Sequence, residues 1–249
     1  MTINLNTRLF QEYRANIARQ RQPRAEVRND GVAELHIYGM IGSSWWEEGI
    51  TADSIKSKLA GFAGAKRLNI FINSPGGSVY EADAIYAQLE RFKAEKVAYI
   101  DGIAASAASY IALAADRVVT AHHAKWLIHN ASTLIFDSFT AAKLREFTER
   151  TAGELDKYSS AIAAIYVAKT GKKPADVIAQ MDKDEIMTAA EALEFGLTDS
   201  VATFDEDNAP ADPAPDNKAA AGLIAAAWAR VHVHAFRAQQ SKRRDSKTK

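Results

Sequence analysis

The sequence predicts an α/β fold built on a largely parallel β-sheet, and three observations support this prediction. Short segments with strand periodicity recur along the chain, the clearest at Leu35–Ile37, Leu68–Ile72 and Val97–Ile100. Segments with helical periodicity lie between them, and strands that alternate with helices are joined by crossovers, which make neighbouring strands parallel. The chain has 249 residues, of which 47% are hydrophobic, so it can fill a sizeable core.

The other elements follow from local patterns. A long helix near 141–168 has an apolar face from Leu144 to Ile165, which is long for a surface helix and predicts contact with another subunit. Thr188 and Glu191 have capping-box spacing and predict a helix that ends near Gly196. The remaining elements are helices with apolar stripes at Ile55, Leu59 and Phe62 and at Ala82, Ile85, Leu89 and Phe92, and strands at Val118–Val119 and Trp126–Ile128.

The two ends of the chain differ in composition from the middle. Residues 1–30 are arginine-rich and are interpreted as a basic N-terminal extension. The predicted domain covers 31–203, and 204–249 is interpreted as a flexible acidic, proline-containing linker followed by a basic tail. A solvated tail and a tail that binds an acidic surface or nucleic acid are both open, and we expect the core to fold without it.

Composition and missing motifs exclude several function classes. Lys and Arg number 31 and Asp and Glu also number 31, so no net charge attracts nucleic acid or an anionic membrane. The chain has no cysteine, no Walker loop, no dinucleotide fingerprint, no zinc helix and no Gly-x-Ser-x-Gly elbow. We therefore expect no cofactor and no metal. No segment has the pattern of a secretory signal or a membrane span, which predicts a cytoplasmic protein.

Two loops carry the residues that could do chemistry. The first, Asn73–Ser78, lies between a strand and a helix, and its two glycines could expose backbone N–H groups to an anion. A plain tight turn explains the same glycines. The second, Asp101–Ser109, opens a helix of small residues and contains Ser106. This serine fits either a helix N-cap or a nucleophile.

A serine nucleophile needs a base, and His129 is the best placed of the six histidines. It ends the strand Trp126–Ile128, at the edge of a parallel sheet where ligand sites gather. A structural, hydrogen-bonded histidine explains this position equally well. His36 lies on the polar face of a strand, and the others are His122 and His123 in a turn and His232 and His234 in the tail.

These segments together resemble the proteolytic subunit of the Clp protease family. The resemblance covers about residues 31–203 and rests on four segments in the same order and with compatible spacing. They are Ile72–Val79, Gly102–Ala108, Leu127–His129 and Asp184–Ala189, the last running into Glu191, Gly196 and Asp199.

The resemblance implies a fold, an activity and a set of site residues. The fold is the spiral of β-β-α units shared with crotonases, and the activity is that of a serine endopeptidase acting on polypeptides. Ser106 is implied as the nucleophile, His129 as the general base and Asp184 as the residue that orients the histidine, while the amides of Gly77 and Ala107 form the oxyanion hole. Homo-oligomeric rings are implied as well, with the long helix joining ring to ring.

Further details of the resemblance leave alternatives. The segment Ile41–Trp46 is similar to phage and prophage members related to head-maturation proteases, which implies scaffold or capsid protein as substrate. The unmatched extension and tail argue against docking of a Clp-type ATPase. Asp182 and Asp137 are alternatives to Asp184. The competing functions are a crotonase-type acyl-CoA enzyme and a catalytically silent assembly scaffold.

Overall fold

The computed structural model describes residues 25–27, 31–42, 49–133 and 137–202. The predicted tail lies outside these residues, and so does the predicted basic extension apart from 25–27, which form an edge strand. Most of the segment Ile41–Trp46 also lies outside them.

Eight strands and six helices lie in the described part of the chain. The strands are β1 (Ala25–Val27), β2 (Val32–Tyr38), β3 (Arg67–Ser74), β4 (Glu95–Ala105), β5 (Arg117–Ala121), β6 (Lys125–Leu127), β7 (Met187–Thr188) and β8 (Ser200–Ala202). The helices are α1 (Ala52–Ala60), α2 (Val79–Arg91), α3 (Ala107–Ala112), α4 (Ala141–Thr170), α5 (Pro174–Lys183) and α6 (Ala189–Phe195).

The strands form one sheet with the order β1-β2-β3-β4-β5-β8. From β2 to β8 every neighbouring pair is parallel, and β1 adds an antiparallel edge. Strand β6 pairs in parallel with β4 and antiparallel with the short β7. The predicted α/β architecture with a largely parallel sheet is thereby confirmed.

Strand β4 pairs with different strands along its length. Its first half pairs with β3 and β5, and Ile103–Ala105 pair with β6. The sequence predicts a loop from Asp101 onward, and this prediction is wrong up to Ala105 because β6 provides backbone partners for the end of the strand. Strand β4 therefore ends directly before Ser106.

The apolar face of the sheet packs against helices. Alternate residues of β2 and the first part of β3 are buried, as strand periodicity requires. The stripes predicted for α1 and α2 are confirmed, because Ile55 and Ile85 are fully buried in the same core. The predicted start of α6 is confirmed too: Thr188 and Glu191 form a capping box, and the helix ends at Gly196 in a left-handed conformation.

Helix α4 is the longest element and is covered unevenly. Its buried residues are Ile162, Ala163 and Tyr166, all in its last third, whereas Leu144 near its start is 43% exposed. The predicted long helix is confirmed, while α5, which follows it, is absent from the sequence prediction. Within the described residues, no helix combines the length and apolarity that crossing a membrane requires.

The opposite face of the sheet is half-buried and carries a row of rings. The ring centroids of His36 and Phe71 are 4.7 Å apart, and those of Phe71 and Tyr99 are 5.1 Å apart. Near the end of this row, the Tyr38 hydroxyl donates a hydrogen bond to the carboxylate of Asp101. Burial raises the pKa of Asp101 to about 6, although the hydrogen bond from Tyr38 opposes the shift.

We expect Asp101→Asn to stabilise the protein at neutral pH. The folded-state pKa lies above the ordinary value of 3.8, so the stability that the neutral carboxyl contributes is present below about pH 4 and is lost as pH rises through 6. The variant should gain on the order of 1–3 kcal/mol in free energy of unfolding near pH 7.5 and almost nothing near pH 4. Denaturant titrations at both pH values measure this, with Asp156→Asn on the exposed face of α4 as control. An equal gain at both pH values would contradict the assignment.

Candidate active site

Ser106 lies at the junction of β4 and α3 in a strained backbone conformation. Its φ of 52° and ψ of −126° belong to a region that non-glycine residues rarely occupy. Such strain costs about 1–3 kcal/mol and persists where neighbouring structure holds it. Here the Ser106 N–H donates to the carbonyl of Leu127 over 2.9 Å. Although Ser106 occupies the N-cap position of α3, its side chain makes no capping hydrogen bond, so the capping interpretation of its hydroxyl is wrong.

The glycine loop after β3 packs directly against this serine. Gly76 has a φ of 91°, and a Cβ there would lie 2.6 Å from the carbonyl oxygen of Ala105 and 2.7 Å from the Cβ of Ser106. Gly77 has a φ of 149°, and a Cβ there would lie 2.0 Å from the carbonyl oxygen of Ile41. A tight turn alone would not need this close approach. The two glycines let the loop pack against the backbone at Ser106 on one side and at Ile41 on the other.

His129 lies two residues after the end of β6, close to Ser106. Its side chain is 16% exposed, and its Nδ1 is 3.7 Å from Oδ1 of Asp184. This is an ion-pair distance, longer than a direct hydrogen bond, and such contacts are often loose before substrate binds. The structure therefore places the carboxylate on the Nδ1 side of the imidazole.

Asp184 reaches His129 because of the way that α5 ends. Asp184 is the C-cap residue of α5, with a left-handed φ of 50°. Asp182 is still helical, and its carboxylate accepts a hydrogen bond from Asn130 Nδ2 over 2.7 Å. Asp182 thus belongs to the last turn of α5 and Asp184 to its end, and the two side chains have different partners. The third candidate, Asp137, is exposed and accepts a hydrogen bond from the N–H of Ser138.

One cleft brings four of the five predicted site residues together. Gly77, Ser106, Ala107 and His129 all line it, and Asp184 contacts His129. The other lining residues include Val79, Tyr110, Ile162 and Tyr166. The cleft thus combines a hydroxyl, an imidazole, the backbone of the glycine loop and the backbone at the junction of β4 and α3.

The other described histidines lie elsewhere. His122 and His123 follow β5 with their ring centroids 5.0 Å apart, and His36 stacks on Phe71 on the far face of the sheet. His232 and His234 lie outside the described residues. In the described part of the chain, no group of three or more His, Asp or Glu side chains is placed to hold a metal ion.

The structure also shows a residue pair that the sequence analysis does not include. The Ser109 hydroxyl and the Tyr166 hydroxyl are 2.7 Å apart, and both side chains are buried beside the cleft. They are 57 positions apart in the chain, so no local pattern relates them.

Comparison with known proteins adds an independent finding. The sequence profile of the family described as Clp protease matches residues 51–205. The chain is 34% identical over 139 residues to the chloroplastic ATP-dependent Clp protease proteolytic subunit 1 of Arabidopsis thaliana, which covers 55% of this chain and 68% of that relative. The ATP-dependent Clp protease proteolytic subunit of Aethionema cordifolium matches with the same identity and coverage.

The fold is similar to that of a solved structure as well. A ClpP1 mutant from Listeria monocytogenes matches with a TM-score of 0.58 and 22% sequence identity, over 70% of this chain and 92% of that one. This similarity confirms the predicted ClpP-type fold.

We expect Gly76→Ala to displace the backbone around Ser106, because the added Cβ would collide with the backbone on either side of this serine. The rate at which a fluorophosphonate labels Ser106 should fall about 100-fold, as a displacement of roughly 1 Å can cost that much. Gly64→Ala is the matched control, since Gly64 has a φ of 86° and nothing within 4 Å of its added Cβ. It should lose about 1 kcal/mol of stability and keep its labelling rate. Equal labelling of the two variants would show that the glycine loop does not support Ser106.

Proposed function

The chain belongs to the Clp protease family, and from this premise we propose that it is a serine endopeptidase that hydrolyses peptide bonds. In this proposal Ser106 is the nucleophile, His129 is the general base and Asp184 orients the imidazole. The amides of Gly77 and Ala107 form the oxyanion hole.

The observation that carries the proposal is the strained Ser106 beside His129. Its hydroxyl makes no capping bond and lines the same cleft as the imidazole. A strained conformation without a structural use for the side chain is typical of an active-site nucleophile. Because Asp184 lies on the Nδ1 side of His129, this proposal assigns Nε2 as the atom that takes the proton of Ser106.

The proposed reaction follows the Ser-His-Asp mechanism. Ser106 Oγ attacks the carbonyl carbon of the scissile peptide bond while His129 takes the hydroxyl proton. The imidazolium then gives this proton to the leaving amine, and the facing carboxylate of Asp184 stabilises its positive charge. Water activated by His129 hydrolyses the acyl-enzyme and releases Ser106.

The oxyanion formed in each step needs donors in place beforehand. Gly77 and Ala107, whose N–H groups are the donors in this proposal, both line the cleft beside Ser106. The loss of one such donor typically costs about 10²- to 10³-fold in kcat. The close packing of the glycine loop against the junction of β4 and α3 supports this role, because it leaves both backbones little freedom to move.

The competing functions use the site differently. A crotonase-type acyl-CoA enzyme holds an enolate with backbone amides and needs neither a serine nucleophile nor an orienting aspartate. The contact between His129 and Asp184 therefore supports the peptidase over it. A silent scaffold would not need to maintain a strained serine beside a histidine.

The proposal also covers how copies of the chain assemble and which substrate they cleave. The sparsely buried first two thirds of α4, with Leu144 exposed, support contact with further copies of the chain in homo-oligomeric rings. We propose a phage or prophage role in which scaffold or capsid protein is the substrate, based on the resemblance at Ile41–Trp46. The relatives are named ATP-dependent proteases, whereas for this chain we propose cleavage of short peptides without an ATPase.

Ser106→Ala should abolish both peptide hydrolysis and fluorophosphonate labelling without unfolding the protein, because it removes a single oxygen atom. His129→Ala should lower kcat by several orders of magnitude, since serine is a weak nucleophile without a base. His123→Ala is the matched control and should retain nearly full activity, because this histidine lies outside the cleft. Mass spectrometry of the labelled protein locates the modified serine. Labelling that persists in Ser106→Ala would refute the assignment of the nucleophile.

Asp184→Asn should lower kcat far more than Asp182→Asn. The first change removes the carboxylate that faces Nδ1 of His129, and the wrong histidine tautomer can cost up to about 10⁴-fold. The second removes only the partner of Asn130 and should cost less than about 10-fold. Steady-state kinetics on one peptide substrate compare the two variants. A larger loss in Asp182→Asn would mean that the third member of the triad is wrongly assigned.

A further inference from the structure

A buried chain of hydroxyl groups connects α4 to the backbone of Ser106. Tyr166 on α4 is 1% exposed, and its hydroxyl is 2.7 Å from Oγ of the fully buried Ser109 on α3. The Ser109 hydroxyl in turn donates a short hydrogen bond to the carbonyl oxygen of Ser106. The same carbonyl also accepts the N–H of Ser109 over 2.9 Å.

The direction of these hydrogen bonds follows from the groups involved. The carbonyl of Ser106 can only accept, so the single hydroxyl proton of Ser109 is committed to it. Tyr166 must therefore be the donor in its contact with Ser109. Burial raises the pKa of Tyr166 well above its ordinary value, which keeps its hydroxyl protonated and able to donate. The chain runs from Tyr166 through Ser109 to the Ser106 carbonyl.

The Ser106 carbonyl shares a peptide plane with a proposed oxyanion donor. The C=O of Ser106 and the N–H of Ala107 belong to one planar trans peptide group and point in opposite directions. Whatever fixes the direction of this carbonyl also fixes the direction of the Ala107 N–H. The ψ of Ser106, −126°, is the torsion that this hydrogen bonding holds in place.

We propose that Tyr166 and Ser109 are positioning residues that aim the Ala107 N–H at the oxyanion by fixing the carbonyl of Ser106. This inference rests on the proposed peptidase function. Neither side chain reacts with substrate in this role. They act through the peptide plane between Ser106 and Ala107, so their effect belongs to the transition state and not to substrate binding.

The chain offers a matched control in Tyr110. This tyrosine also lines the cleft and is buried, but its hydroxyl donates to Oδ1 of Asp83 over 3.0 Å. Tyr110→Phe therefore removes a buried hydroxyl from the same cleft without touching the hydrogen bonds of the Ser106 carbonyl. A general effect of removing a hydroxyl would appear in both tyrosine variants.

The experiment measures kcat and KM for a peptide substrate in the full chain, for the wild type, Tyr166→Phe, Ser109→Ala, the double variant and Tyr110→Phe. Rates are expressed per active site, titrated by the total amount of fluorophosphonate bound. Tyr166→Phe should lower kcat roughly 10-fold with KM nearly unchanged, because it loosens an oxyanion donor without removing it. Ser109→Ala should lose at least as much, and the double variant no more than Ser109→Ala.

The outcomes separate this inference from the proposed function. If the wild type is labelled and active but Tyr166→Phe and Tyr110→Phe have equal kcat per site, the positioning role is overturned. The proposed peptidase function would still stand. Additive losses in the double variant would also overturn it, because the two hydroxyls would then act independently. A wild type that neither labels nor cleaves would overturn both the peptidase and this inference.

Discussion

The site depends on the parallel pairing between the end of β4 and β6. This pairing carries β4 through to Ala105 and delivers the chain to Ser106, whose N–H is bonded to the carbonyl of Leu127 in β6. The same strand β6 leads two residues later to His129. One ladder of hydrogen bonds, between β4 and β6, thus fixes the backbone positions that precede both Ser106 and His129.

A second constraint is steric and comes from the glycines after β3. Gly76 and Gly77 let the loop approach Ser106 on one side and Ile41 on the other more closely than any side chain would allow. The carboxyl ends of β3, β4 and β6 therefore meet at a single point of the sheet. Ser106 and His129 follow the ends of β4 and β6 and line one cleft at this edge.

Local patterns predict most of this arrangement, and long-range partners account for the rest. The periodicity of β2, β3, α1 and α2 reports which face is buried, and the capping box at Thr188 is a local interaction. The end of β4 could not be predicted in this way because its partner is β6, and a strand without its neighbour resembles a loop. Similarly, Asp184 differs from Asp182 through a left-handed helix end that carries no glycine. The pairing of Ser109 with Tyr166 depends on how α4 packs and leaves no trace in the local sequence.

The strained conformation of Ser106 is unfavourable by itself and needs hydrogen bonds from neighbouring residues to hold it. Its conformation costs about 1–3 kcal/mol, and a hydroxyl that does not cap α3 forgoes about 1 kcal/mol more. Three hydrogen bonds to its backbone, from its N–H to Leu127 and from the N–H and hydroxyl of Ser109 to its carbonyl, contribute about 0.5–1.5 kcal/mol each. The two sides are of similar size, so each of these hydrogen bonds helps to hold Ser106 in its strained conformation. These hydrogen bonds therefore support a backbone conformation in which the Ser106 hydroxyl does not cap α3, as its proposed role as nucleophile requires.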